Sequence, residues 1–209
     1  MFINEQETAR TRTRYQRIAP LYDVMEFLAE RHYTAWRPHL WSQVKGPKVL
    51  EVGVGTGKNI PYYPADLDII AIDLTPGMLD RARTLAAKTE ADVELQLGDV
   101  QKLDFPDNLC DEVVSAVVFC SVPDPVVGFN EVGSVLNPDG RWLLLEHVRS
   151  ANPMMGALMD LLDPVMVRLM GSHINRRTVA NIQQSQLQVE QVENIGAGGI
   201  FKLIVARKV

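Results

Sequence analysis

Apolar positions in the middle of the chain fall in short runs, and the segments between them follow a helical period. Val49, Leu50 and Val52 make the first run, Ile69 to Ile72 the second and Glu112 to Phe119 a nearly continuous one. Such runs suit strands covered on both faces, as in a parallel sheet. Asp92 to Leu97 alternates as a further strand, and Arg141 to Val148 follows the turn Asn137-Pro138-Asp139-Gly140. Between strands, Thr75 and Pro76 open a helix whose buried stripe is Met78, Leu79, Ala82, Leu85 and Ala86. Asp124 and Pro125 open another, running to Leu136. Gln188 to Asn194 and Ile200 to Arg207 read as two strands of a closing hairpin. The expected fold is α/β: a doubly wound, Rossmann-like, mostly parallel seven-stranded sheet with a C-terminal antiparallel hairpin and an N-terminal helical lid.

The flanking segments are helical too. Leu21, Val24, Met25, Leu28 and Trp36 keep a helical period after a break at Pro20. Residues 153 to 171 hold five of the eight methionines, and Pro164 is expected to divide them into two helices. They read either as a helical pair capping the sheet or as a greasy lid, since flexible Met side chains adapt to irregular apolar surfaces. A last helix is expected from Asn175 to Gln186, with Arg176 and Arg177 in its first turn, where positive charge opposes the helix dipole; such a pair is a candidate anion contact. One domain is expected over 1–209: a lid segment at 1–45, a core at 46–149, a helical cap at 150–186 and the hairpin at 187–209. The length suits one compact domain.

Net charge is −5, with no basic stripe interleaved with aromatics, which argues against nucleic acid. The charge is uneven. Residues 1 to 48 hold eight Lys or Arg against five Asp or Glu, and Arg10, Arg14 and Arg17 share one helical face. That face is either simply solvated or a contact for an anionic substrate or lipid headgroup. Cys110, Cys120 and the four histidines show no metal-ligand spacing, so no metal is expected. The start lacks an apolar leader core and no stretch reaches a membrane span, which reads as a cytoplasmic protein; peripheral contact with an anionic membrane goes with the lipid reading.

The chemistry concentrates where the first strand ends. Glu51 and then Gly53, Gly55 and Gly57, at every second position, give a backbone open to close approach. A lone Gly-rich turn would be ordinary, but Asp73 ends the second apolar run twenty residues beyond Gly53. Doubly wound sheets put there a carboxylate that accepts from ribose hydroxyls, with Leu74 beside it. Pro61 and Pro64 leave no room for a long helix after the glycines, which disfavours a pyrophosphate and a Rossmann-type NAD enzyme. Phe119 to Ser121, at the tip of the central strand, should lie beside the glycine turn. Glu146-His147 ends the fifth strand at the same sheet edge, which makes His147 a general-base or acceptor-binding candidate as well as a structural histidine.

EVGVGTG followed by DLTPGML resembles the first motifs of the class I S-adenosylmethionine-dependent methyltransferases. The resemblance implies that Glu51 and the glycine turn hold the methionine moiety of S-adenosyl-L-methionine, that Asp73 holds its ribose, and that Asp99 and Val100 meet the adenine. The string from Ile18 to Asp23 resembles the A-x-x-Y-D segment of quinone and phospholipid methyltransferases, which implies that Tyr22 faces the methyl group as a cation–π partner. SVPDP, LEHVRS and LLDPVMVRLMGSHINRRT are more similar to the phospholipid and thiol branch than to the quinone branch. The implied activity is N-methylation of an amphiphile such as phosphatidylethanolamine. Thiol S-methylation, quinol C-methylation and cofactor binding without catalysis stand beside it, and a small-molecule acceptor is the alternative partner.

Overall fold

The computed structural model describes residues 3–209. Seven strands form one sheet: β1 (Lys48–Val52), β2 (Asp68–Asp73), β3 (Glu94–Leu97), β4 (Cys110–Ala116), β5 (Leu136–His147), β6 (Leu187–Asn194) and β7 (Phe201–Lys208), in the order β3-β2-β1-β4-β5-β7-β6. The first five run parallel, and β7 runs antiparallel to both β5 and β6. The order reverses between β1 and β4, so their carboxyl ends open a crevice there.

Alternation along the buried strands sends side chains to both faces. Leu50, Val52, Ile72, Val113, Trp142 and Leu144 pack with Phe129 and Val132 of helix α5 (Pro125–Val135). On the opposite face Val49, Ile69, Val114, Leu143 and Leu145 meet Leu40 and Trp41 of α3 (Phe27–Trp41). Helix α4 (Pro76–Thr89) seats Leu79, Ala82 and Ala86 against Ala71, Val54 and Ile60. The interval after the glycines holds only a single short turn of helix, Ile60–Tyr62.

The helix starts divide in how they are capped. Asp124 accepts from the amides of Val126 and Val127 at 3.1 and 3.2 Å. Asp124→Ala is therefore expected to cost about 1 kcal/mol in denaturant unfolding, and an unchanged midpoint would show that the cap contributes nothing. Thr75 precedes α4 without a side-chain cap bond; instead the Gly77 amide donates to Gln16 Oε1 at 2.9 Å, which ties α4 to α1 (Glu5–Ile18).

Three expected boundaries move. Helix α6 (Pro153–Met170) runs unbroken through Pro164. Its inner side is fixed around that residue by Asp163, which accepts from His173 Nδ1 at 2.7 Å and the Ile174 amide at 2.8 Å. The expected helix from Asn175 shrinks to α7 (Thr178–Ile182), because Arg176 is drawn into the chain, its carbonyl accepting from Arg149 N and its guanidinium donating to the Val122 carbonyl. Strand β5 begins at Leu136 and includes the expected turn, with a bulge between Cys110 and Glu112 and positive φ at Asp139. Among the described residues no helix is long and apolar enough to cross a membrane, and no His, Cys, Asp and Glu group has a metal-holding arrangement.

Candidate active site

Strand β1 runs into a turn in which Gly53, Gly55 and Gly57 all take positive φ, 73°, 57° and 88°, a region glycine enters without steric cost. Gly53 and Gly55 line a cleft at the switch point, and a Cβ on Gly55 would meet nothing within 4 Å. Gly57 does not line it. A Cβ there would stand 3.0 Å from Ala82 Cα, so this glycine serves the close approach of α4. The cleft has about 1080 Å³ of empty volume, counting the part open to solvent.

Asp73, half-buried at the end of β2, braces the turn from the side. Its Oδ2 accepts from the Gly55 amide at 3.0 Å and its Oδ1 from the Thr75 amide at 2.8 Å. A carboxylate has about four lone-pair positions, so acceptor capacity remains. Burial pushes its carboxyl up, against the two amides and the Thr75 hydroxyl that pull it down. Leu74, Asp99 and Val100 line the same cleft. Asp99 Oδ1 accepts from the Gln101 amide at 2.9 Å. Gln101, buried, then links three elements: its side chain donates to Thr8 Oγ1 at 3.0 Å and accepts from the Asp124 amide at 3.0 Å.

Glu51 is buried under the turn at 1% exposure. It accepts from Asn59 Nδ2 at 2.6 Å and from the Tyr63 hydroxyl. Burial raises its pKa to about 7 in spite of those two donors and the Arg37 charge. Arg37 reaches the same group through Asn59 Oδ1 and pairs with Glu30 at 2.9 Å.

The first three helices close the cleft from above. Thr11 and Tyr15 of α1, Tyr22 of α2 (Tyr22–Met25), and Glu26, Glu30 and Tyr33 all line it. The Tyr15 and Tyr22 rings lie 6.2 Å apart, and Lys58 Nζ stands 5.8 Å from the Tyr22 ring centre. Asp23 holds this cover down: it accepts from Thr56 Oγ1 at 2.8 Å, pairs with Arg81, and lies 3.5 Å from Lys58.

Several expected site residues stand elsewhere. Phe119 is not on the cleft wall. Val117 takes φ 58° and turns the chain inward, and Glu146 Oε1 fastens the new course by accepting from the Val118 and Phe119 amides at 3.1 and 3.2 Å. The Phe119 ring goes into the core, stacked 4.4 Å from Phe129, while Val117, Val118, Ser121 and Val122 take the wall. Nor does His147 line the cleft. The strand's pleat puts it opposite Glu146, and its ring packs edge-on against Phe201 at 5.2 Å, where burial pushes its pKa down. Arg10, Arg14 and Arg17 lie off the α1 face that carries Thr11 and Tyr15, and none lines the cleft. Arg14 leans instead over Gly171, the residue that ends α6. Arg176 points to the Val122 carbonyl, and Arg177 is an exposed N-cap.

Glu26 was missed, though its place one helical turn from both Tyr22 and Glu30 was a signal that could have found it. Gln101, Asn59 and Arg37 carried no such signal, because their partners come from distant elements.

The cleft fits a nucleoside with a charged tail. It has a spare carboxylate acceptor at Asp73, an apolar wall from Ile72, Met78, Val100 and Val122, and a polar floor at Glu51 and Asn59. The sequence agrees: residues 50–144 match the family model described as a methyltransferase domain. The chain is 29% identical to a phosphatidylethanolamine N-methyltransferase of Cereibacter sphaeroides, over 77% of this chain and 79% of the relative. It is 31% identical to a demethylmenaquinone methyltransferase of Deinococcus radiodurans, over 69% of this chain and 63% of the relative. In fold it is similar to an S-adenosylmethionine-dependent methyltransferase from Mesorhizobium loti, with TM-score 0.62 and 20% identity over 83% of this chain and 98% of that one. Sheet order, glycine turn and relatives agree: the chain belongs to the class I S-adenosyl-L-methionine-dependent methyltransferases, enzymes that take their methyl group from that cofactor.

Proposed function

We propose that this enzyme methylates the amino nitrogen of an amphiphilic acceptor, with phosphatidylethanolamine as the type. The observation that carries the reading is the meeting of two surfaces beside the cleft. Helix α6 buries only Gly156, Met159 and Asp163 and leaves Met154, Leu158, Leu161, Val165 and Leu169 between 48% and 84% exposed. Its end touches Arg14 of the basic α1 face. Apolar surface next to cationic side chains that join no ion pair among the described residues suits acyl chains beside a phosphate.

Charge inside the cleft speaks for nitrogen over sulfur or a quinol. Glu26, Glu30, Glu51, Asp73 and Asp99 line it against Arg37 and Lys58, five carboxyl groups to two cations. Such a lining repels a thiolate or quinolate and tolerates an ammonium.

When bound, S-adenosyl-L-methionine supplies an electrophilic methyl group on a sulfonium. In this reading Asp73 offers its free lone pairs to the ribose, Asp99 and the Val100 amide face the adenine, and the Glu51 floor with Gly53 and Gly55 takes the methionine end. Tyr22 lays a ring against the cationic centre. The helices above exclude water, so catalysis is chiefly positioning.

Methyl-labelled S-adenosyl-L-methionine offered with phosphatidylethanolamine micelles, an alkyl thiol and a reduced quinone tests the reading. Label is expected on the lipid amine. Label confined to the thiol or the quinol would overturn it.

A further inference from the structure

We propose that Glu26 and the rings of Tyr15, Tyr22 and Tyr33 form the acceptor's ammonium pocket, with Glu26 as counter-ion and proton acceptor. The inference rests on the amine reading above and deepens it by naming the residues that select a cation.

All four side chains line the one cleft. Tyr22 and Glu26 are one helical turn apart, the Glu26 amide donating to the Tyr22 carbonyl at 2.9 Å. Tyr15 lies tilted beside Tyr22 from α1, and Tyr33 is held from behind by edge contacts with Trp36 and Phe201, at 6.0 and 5.8 Å. Rings braced in this way present π faces at little entropic cost, and π faces attract ammonium groups. Lys58 over the Tyr22 ring shows a cation already settled on one of them.

Glu26 differs from the other carboxylates of the cleft. Glu30 is paired with Arg37 and Lys58, Glu51 is held by Asn59 and Tyr63, Asp73 braces the glycine turn, and Asp99 takes the Gln101 amide. The Glu26 carboxylate accepts no hydrogen bond and joins no ion pair among the described residues. Burial pushes its carboxyl up, Lys58 opposing, and burial with the Glu26 charge pushes all three phenols up. A half-buried carboxylate without a partner, among aromatic faces, is completed by an incoming cation. A protonated amine has no lone pair to attack with. Its N–H proton passes to Glu26, an O–H bond forming as the N–H bond breaks, and the electron pair stays on nitrogen.

The test reads binding rather than turnover. Choline and its neutral carbon isostere 3,3-dimethylbutan-1-ol are titrated by calorimetry into enzyme saturated with S-adenosyl-L-homocysteine. Choline is expected to bind about tenfold or more tighter than the isostere, the scale of a desolvated cation–π contact plus a charge pair. Glu26→Gln should remove most of that preference and leave the affinity for S-adenosyl-L-homocysteine within about twofold. Tyr33→Leu should lower the preference, and Tyr33→Phe should keep it. Equal binding of the two probes, no binding of either, or a preference that survives Glu26→Gln overturns the inference. Failure of S-adenosyl-L-homocysteine itself to bind strikes instead at the cofactor arrangement on which both readings stand.

Discussion

Asp73→Ala is expected to weaken S-adenosyl-L-methionine binding by roughly 10- to 150-fold, the loss of hydrogen bonds worth about 1.5 to 3 kcal/mol to a charged acceptor. Two effects act together. In the proposed arrangement the ribose would lose its acceptor, and the amides of Gly55 and Thr75 lose the one that fixes the glycine turn. Asp73→Asn retains one oxygen for a backbone amide and should fall between wild type and alanine. Calorimetric dissociation constants for the three proteins check this; equal constants would remove Asp73 from the cofactor site.

The second large effect is a fall in stability as pH rises. Glu51 and Glu146 are 1% and 0% exposed, and burial raises each from the usual carboxylate value to about 7. Between about pH 4.5 and 7 the folded chain keeps two protons that the unfolded chain has released. The folded state therefore binds more protons, and its stability drops through that window, by about 3 kcal/mol for each group. For a chain of this size 1 kcal/mol moves the midpoint by roughly 2 to 4 °C. The ligand-free protein should melt markedly lower at pH 8 than at pH 5. Glu146→Gln should flatten the slope, since Glu146 Oε2 has no partner to lose. A melting temperature independent of pH, or a Glu146→Gln profile parallel to the wild type, would contradict the assignment.

The sheet was legible because its strands are buried runs with turn residues between them, and the parallel core follows from the helices between those runs. Glu51, Asp73, Asp99 and Tyr22 could be placed at the cleft because each stands at a strand end or in a motif that fixes its direction. Phe119 and His147 could not. Phe119 lies beyond the end of β4, where the chain's course depends on a long-range event, the capture of the Val118 and Phe119 amides by Glu146; that same event commits Glu146 to the inner side of β5 and so leaves His147 on the other. Pro164 failed as a helix breaker for a related reason: the neighbouring Asp163 is held by His173, ten residues on, and tertiary anchoring outweighs local preference.

Asp23 gathers Thr56, Arg81 and Lys58 onto one carboxylate that is 37% exposed. It is one of the places where the helical cover is fastened to the sheet, and this fastening is ionic and wet. Contacts of this kind loosen with added salt while the buried core does not. Loosening this one needs no unpacking of the core, so release of product from under the cover is expected to quicken with added salt, and Asp23→Asn to weaken that dependence.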